Sequence, residues 1–362
     1  MKGNKGTREE RVASALLREI GRLLRDPLRI MEVCGTHTVA IFRSGIRSLL
    51  PEGIELISGP GCPVCVTPTG EIDRAIALTE RDGVILATFG DLMRVPGTEA
   101  SFIQRRAEGG DIRVILSPLE AVRMAEEERK RKVVFFAVGF ETTSPAIAAS
   151  VLEAERRGLD NFYLLSSQRL IPPAIEALLS GGKVAIDGFL LPGHVSVIIG
   201  KAPYGFITER FGVPGVITGF EPLDILEGIL MLVRQRREGR AEIQIQYRRA
   251  VKEEGNPRAR ELMEQVFTSV DSRWRGLGTI PESGLSLREE FSRMKAEEAF
   301  DLPYIERPDP PGCLCGEVLQ GVKAPPDCPL FGGRCTPQSP VGPCMVSSEG
   351  TCAAYYKYGG SR

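Results

Sequence analysis

The chain has 362 residues, of which 42% are hydrophobic and 26% charged, with a formal net charge of −1 and a single Trp. This near-neutral balance excludes the basic stripe of a nucleic-acid-binding protein, and the length predicts two or three domains rather than one core. No apolar run reaches the roughly 20 residues of a membrane-spanning helix, so no membrane association is expected.

The N-terminal stretch mixes acids and bases and places Val12, Leu16, Ile20 and Leu23 at helical spacing. It reads as an amphipathic helix and not as a signal peptide, which makes the cytoplasm the expected compartment. Short apolar runs then alternate with helical stretches. Leu28–Val33 is the first strand, followed by the turn Cys34-Gly35-Thr36-His37 and a helix over Val39–Leu50. Gly53–Ile57 is the second, followed by SGPGCPVC and a helix from about Thr69 to Arg81. Val84–Phe89 and Ile112–Leu116 are further strands of the kind buried on both faces, and the charged run Glu126–Lys132 is a solvated helix end.

A second set opens with the strand Val133–Val138, its turn Gly139–Thr143, and a helix Ser144–Arg157 with Pro145 in the permissive first turn. Phe162–Ser166, Gly188–Leu191 and Gly215–Thr218 are the next strands, and Pro222–Arg234 is a long helix. Strands alternating with helices imply parallel sheets and right-handed crossovers. The expected fold is therefore α/β: two doubly wound lobes with parallel sheets plus a small C-terminal iron–sulfur domain. The expected divisions are 1–130, 131–240 and 241–362. In the last of these, helices at Arg258–Phe267 and Leu287–Phe300 flank a glycine-rich passage, and the turn Arg307–Gly312 leads into a cysteine segment.

Six of the nine cysteines fall in that segment: Cys313, Cys315, Cys328, Cys335, Cys344 and Cys352. With few periodic apolar residues it cannot build a large core, so coordination or covalent bonding has to hold it. In the expected compartment such cysteines favour metal or redox work over structural disulfides. The spacing C-x-C-x12-C-x6-C-x8-C-x7-C contains no tight pair of zinc knuckles, whereas wide irregular spacing suits a [4Fe–4S] cluster on four thiolates. Four ligands leave two thiols for a dithiol pair, and Cys313 and Cys315 are expected to divide between the two roles.

Open α/β sheets place their ligands at the C-terminal ends of the strands. Two such turns carry thiols. Cys62-Pro-Val-Cys65 resembles a dithiol/disulfide pair, since a helix N-terminus lowers the leading thiol's pKa and two intervening residues permit ring closure. The same residues could form half of a zinc site with Cys34 and His37, and thiolate plus imidazole equally suits ferrous iron. Cys34 sits in a turn rather than a core strand, which favours function over simple packing. His194, in Leu191–Ser196, is as readily a hydrogen-bonded structural residue as a functional one. Glu141 is either a partner for a cationic or hydrogen-bonding group or a helix N-terminal acid, and Gly139–Thr143 lacks the glycine spacing and lysine of a phosphate loop.

Taken together, CGTHT at 34–38, GPGCPVC at 59–65, GFETT at 139–143, LPGHVS at 191–196 and the tail with CMVSSEG and CAAYY closely resemble the HypD family of [NiFe]-hydrogenase maturation factors over nearly the whole chain. The resemblance implies an assembly scaffold rather than a free-standing metabolic enzyme. Its expected partners are a HypC-type chaperone, with which it holds an iron that acquires two cyanides and one carbon monoxide, and a HypE-type carrier that delivers cyanide from a thiocyanate on its C-terminal cysteine. It implies Cys34 as the iron ligand opposite a cysteine of the chaperone, His37 as an assisting residue, and Cys62 and Cys65 as a redox pair beside the iron. It also implies a [4Fe–4S] cluster on Cys313, Cys328, Cys335 and Cys352, with Cys315 and Cys344 as the nearby pair, arranged much as in ferredoxin:thioredoxin reductase. The alternative reading is a general thiol–disulfide oxidoreductase with an iron–sulfur cluster.

Overall fold

A computed structural model describes residues 7–359. The N-terminal helix Arg8–Leu23 opens with a capping box, in which the Glu10 N–H donates to Thr7 Oγ1 at 3.2 Å and the Thr7 N–H donates to Glu10 Oε2 at 2.7 Å. Its buried residues Ile20 and Leu23 share an apolar cluster with Ile225, Leu226 and Ile229 of the helix Pro222–Arg237. The stretch from Gly35 to Leu49 gives two helices, not the single one expected over Val39–Leu50, because Gly45 has a φ of 70° and breaks the run between Gly35–Arg43 and Ile46–Leu49.

Eleven strands form two sheets. They are β1 (Leu28–Glu32), β2 (Ile54–Ser58), β3 (Val84–Phe89), β4 (Ile112–Ile115), β5 (Lys132–Gly139), β6 (Phe162–Arg169), β7 (Gly188–Pro192), β8 (Gly215–Thr218), β9 (Ile243–Ile245), β10 (Phe267–Trp274) and β11 (Gly278–Leu287). One sheet has the order β2-β1-β7-β8-β9 and is parallel throughout. The other has the order β10-β11-β6-β5-β3-β4, where β6, β5, β3 and β4 are parallel and the β10–β11 hairpin adds antiparallel to β6.

The α/β class and the two sheets agree with the sequence reading, but the sheets are not contiguous in sequence. The division expected near residue 131 falls between β4 and β5, inside the second sheet, and β1 pairs with the distant β7, Ile30 beside Gly188. The expected separate unit from 241 also dissolves in part. β9 completes the first sheet, and the glycine-rich passage is the β10–β11 hairpin. The helix expected over Leu287–Phe300 is a 3₁₀ segment Glu289–Met294 followed by one turn, Ala296–Ala299.

Alternation along the strands explains why the two sheets close on one another. In β5, Val133, Phe135 and Ala137 join one apolar cluster, while Val134, Phe136 and Val138 join another. That second cluster also takes Met31, Phe189, Leu191 and Ile217 from the first sheet, so it is a core shared by both. Phe135 and Phe136 are both fully buried, and burial of each contributes about 1.5–3 kcal/mol.

Candidate functional site

Both sheets reverse their winding direction. In the first, the chain runs outward from β1 to β2 on one side and from β7 through β8 to β9 on the other, so the switch lies between β1 and β7. In the second it lies between β3 and β5. A crevice opens outside the carboxyl ends of strands at such points. Here one cleft of about 400 Å³ is lined from four strand ends and the tail: Cys34 after β1, Gly61 and Pro63 after β2, Phe140, Thr142 and Thr143 after β5, His194 after β7, and Glu349.

Cys34 caps the helix Gly35–Arg43 with extended backbone, φ −152°, so its sulfur lies at the helix start. The N–H groups of Thr36 and His37 favour its thiolate, yet burial outweighs them and pushes the Cys34 thiol up to about 12. Its backbone is clamped from both sides. The Gly35 N–H donates to the Gly61 carbonyl at 2.9 Å, and a Cβ on Gly61 would lie 2.1 Å from the Cys34 nitrogen. A Cβ on Gly35 would meet the Cβ of Glu349 at 2.5 Å. These two positions require glycine because another backbone passes against them.

Beneath this turn lies Glu32, 1% exposed, which accepts from the Thr38 hydroxyl at 2.6 Å and from the Cys34 N–H at 3.4 Å. Burial raises its carboxyl to about 7. His37 faces away from the cleft and is fully buried. Its Nε2 lies 2.9 Å from the Gly219 carbonyl and 3.1 Å from Thr218 Oγ1. A carbonyl only accepts, so Nε2 carries the proton and Nδ1 is left as an acceptor with no partner among the described residues. Burial lowers the imidazole to about 4, which keeps it neutral. Phe220 stacks between the two histidines, with ring centroids 4.7 Å from His37 and 3.9 Å from His194. His194 is exposed in the cleft and His37 ties β1 to the end of β8.

Cys62 and Cys65 form a disulfide across the start of the short helix Pro63–Val66, with their Cα atoms 5.2 Å apart. The Cys65 N–H donates to Cys62 Sγ at 3.2 Å. The pair lies just under the cleft wall, Cys62 4% exposed and Cys65 fully buried, while Cys34 is a free thiol lining the cleft.

The tail docks on both turns. Cys62 Sγ lies 3.3 Å from Ser347 Oγ, and the Thr36 hydroxyl donates to Glu349 Oε1 at 2.6 Å. The helix Pro343–Val346, which carries Cys344, packs on the helix that carries Cys65. All six tail cysteines line one small apolar space of about 10 Å³, together with Leu314, Val318, Phe331 and Met345. Among the described residues no three His, Cys, Asp or Glu side chains converge on a common point as metal ligands; the thiols line the wall of the space. The sulfurs of Cys315 and Cys344 approach to 2.9 Å. Hydrogen bonds with the Cys313 and Cys344 thiols hold the Cys315 thiol well below its ordinary range, while hydrogen bonds with Cys315 and Cys352, together with burial, push Cys344 well above it. The Val341 N–H donates to Cys335 Sγ at 3.3 Å.

Sequence reasoning did not single out Glu32, Phe220, Ser347 or Glu349. The partners of Phe220, Ser347 and Glu349 lie in other segments, up to 313 residues away for Glu349 and Thr36, so no local spacing announces them; Glu32, whose partners Cys34 and Thr38 are close in sequence, reads as one more residue of the first strand. Glu141, left between two roles, is a helix N-terminal acid for a different helix than its own. It is 1% exposed, and Oε1 accepts from the N–H of Ile171, which opens the helix Ile171–Gly181.

A free thiol in the crevice of a doubly wound sheet, a disulfide beneath the same crevice and a cysteine-rich tail docked on both define a class: an α/β protein whose thiols gather at one strand-end cleft. Residues 11–359 match the family model HypD, described as the hydrogenase formation hypA family. The chain is 51% identical over 343 residues to hydrogenase maturation factor HypD2 of Bradyrhizobium diazoefficiens, covering 92% of this chain and 90% of that one. It is 48% identical over 333 residues to hydrogenase maturation factor HypD of Escherichia coli K12, covering 92% and 89%, and 46% identical over 367 residues to that of Rhodobacter capsulatus, covering 98% and 97%. The chain belongs to the HypD family of hydrogenase maturation factors.

No described helix is long and apolar enough to cross a membrane.

Proposed function

We propose that this chain is the scaffold on which the Fe(CN)₂CO unit of a [NiFe]-hydrogenase is assembled, together with a HypC-type chaperone and a HypE-type cyanide carrier. The observation that carries the reading is the meeting of three thiol sites at one cleft: Cys34 in its wall, Cys62–Cys65 beneath it, and the tail docked through Ser347 and Glu349.

Cys34 is the protein's ligand to the iron cargo; burial disfavours its thiolate, and metal binding itself supplies it, since a bound cation draws the proton from a coordinating thiol. The cleft leaves room beside it for a partner's thiol and for a carrier's chain end. Release of cyanide from a carrier thiocyanate to iron leaves a thiol on the carrier and takes two electrons and one proton. A reduced Cys62/Cys65 dithiol supplies the electrons and that proton, and loses its second proton to solvent, as it closes to the disulfide present here. His37 holds the Cys34 helix to β8 and so sets where the thiol stands.

The tail's donor set suits a [4Fe–4S] cluster. Cys335 is buried in a small satellite core with Leu330 and Met345, and Cys313, Cys328 and Cys352 pack against it, while Cys315 and Cys344 are buried in the central core, which Cys313 and Cys352 also touch. The burial of Cys315 and Cys344 together in the central core, with their sulfurs 2.9 Å apart, supports these two as the dithiol pair and the other four as ligands. When bound, such a cluster supplies single electrons. The Cys335 sulfur already accepts a backbone N–H, the kind of contact that steadies a thiolate.

Anaerobic co-purification with the chaperone, followed by infrared spectroscopy in the cyanide and carbonyl stretching region, tests the reading. Bands that vanish on Cys34→Ala are expected. A competent complex without them overturns it, and reduction of generic disulfides without any such bands would favour a general oxidoreductase.

A further inference from the structure

The tip of the β10–β11 hairpin carries a buried cation between the two redox elements. Arg275 follows β10 directly, and its side chain is 1% exposed. A guanidinium cannot shed its charge, so burial requires acceptors around it. Its backbone N–H donates to the Val66 carbonyl at 2.8 Å, its Nε to the Thr67 carbonyl at 3.2 Å, and its Nη2 to Thr69 Oγ1 at 2.8 Å. The two carbonyls close the helix Pro63–Val66 at its C-terminal end, and Thr69 opens the next helix, Thr69–Leu78. The remaining arm pairs with Asp309, four residues before Cys313.

The next residue carries the other half of the contact. Gly276 has a φ of 78°, and a Cβ there would lie 2.3 Å from the Gly316 Cα. Gln320 Nε2 donates to the Gly276 carbonyl at 2.5 Å and to the Gly316 carbonyl at 3.2 Å. One hairpin tip thus grips the segment after Cys65 on one side and the helix Cys315–Leu319 on the other.

We infer that Arg275 is a positioning residue that holds the Cys62–Cys65 turn in its ring-closing geometry and ties it mechanically to the Cys315 segment. The inference rests on the reading of Cys62–Cys65 as a redox pair. With the strut in place, the residues after Cys65 keep their course when the disulfide opens, so the two thiols stay close and re-close readily. Without it the reduced turn gains freedom, and the disulfide is easier to reduce.

The test equilibrates the full-length chain with glutathione buffers and reads Cys62 and Cys65 by alkylation and mass spectrometry. Reduction of the pair oxidises two glutathione thiols to one glutathione disulfide. Arg275→Gln is expected to lower the equilibrium constant for forming Cys62–Cys65 roughly tenfold, a shift of about 30 mV. Arg275→Lys keeps the charge but not the fork and is expected to fall between. Hydrogen exchange should rise in residues 62–69 and 313–320 together while the sheets stay protected; a merely structural loss would raise exchange throughout. Should Arg275 variants fail to fold, Asp309→Asn decides, because Asp309 is 35% exposed and frees only the outer arm, for an expected change of about threefold in the same direction. A folded Arg275 variant, or failing that Asp309→Asn, with an unchanged constant overturns the strut alone. A wild-type pair that does not exchange with glutathione overturns the strut and the redox assignment together.

Discussion

The strand-end turns and the tail both depend on cysteine, but different forces hold them in place. Around Cys34 and Cys62 the backbone is positioned by parallel strands buried on both faces, by interlocked glycines and by Glu32 and His37 below. Removing a thiol there leaves that frame standing. In the tail the cysteines are themselves the packing: Cys335 shares its small core with only Leu330 and Met345 among buried residues. A segment so poor in apolar burial has little to fall back on. The same side chain is a tenant in one region and a structural member in the other.

The largest expected effect sharpens this contrast. Cys34→Ala should abolish hydrogenase maturation in a complementation assay while changing the free energy of urea unfolding by no more than about 1 kcal/mol, as small buried substitutions without polar loss do. A comparable loss of stability would break the distinction. Next, Cys335→Ala, or stripping of iron by a chelator, should open residues 307–359 to protease while β1 to β8 stay resistant, with a local cost of several kcal/mol. Equal resistance of the tail would show that its thiols do not hold it.

Gly61→Ala should cost about 2–3 kcal/mol in urea unfolding, because its Cβ would collide with rigid Cys34 backbone rather than a flexible side chain. The smallest effect is a pH dependence in the frame itself. Burial raises Glu141 to about 7 in the folded chain, above its ordinary value of 4.5. Its stabilising contribution is therefore fully present below pH 4.5 and is lost as pH rises through 7. Glu141→Gln keeps the acceptor for the Ile171 N–H and removes the ionisation. Its urea midpoint should fall less between pH 5 and 8 than the wild type's, by an energy on the order of 2 kcal/mol. Parallel pH profiles would refute the account.

Much of this was legible in the chain itself. The apolar runs at Val84–Phe89 and Gly188–Leu191 lie within a residue of β3 and β7, since strands buried on both faces leave a continuous apolar signal. The thiol turns at Cys34 and Cys62 were recognisable because glycine, proline and cysteine punctuate strand ends. The hairpin β10–β11 was not, since exposed residues such as Thr268, Ser269 and Glu282 interrupt any alternation and its pairing with β6 is long-range.

The cysteine-rich tail, the α/β alternation and the turns that carry Cys34, Cys62 and Cys65 were determined by the sequence alone, because local spacing and residue chemistry suffice for them. Only the tertiary structure decided which strands share a sheet, that Glu349 and Ser347 dock the tail on those turns, and that Arg275 stands between them. Such pairings join segments tens to hundreds of residues apart, and their energy exists only once the core shared by both sheets has closed.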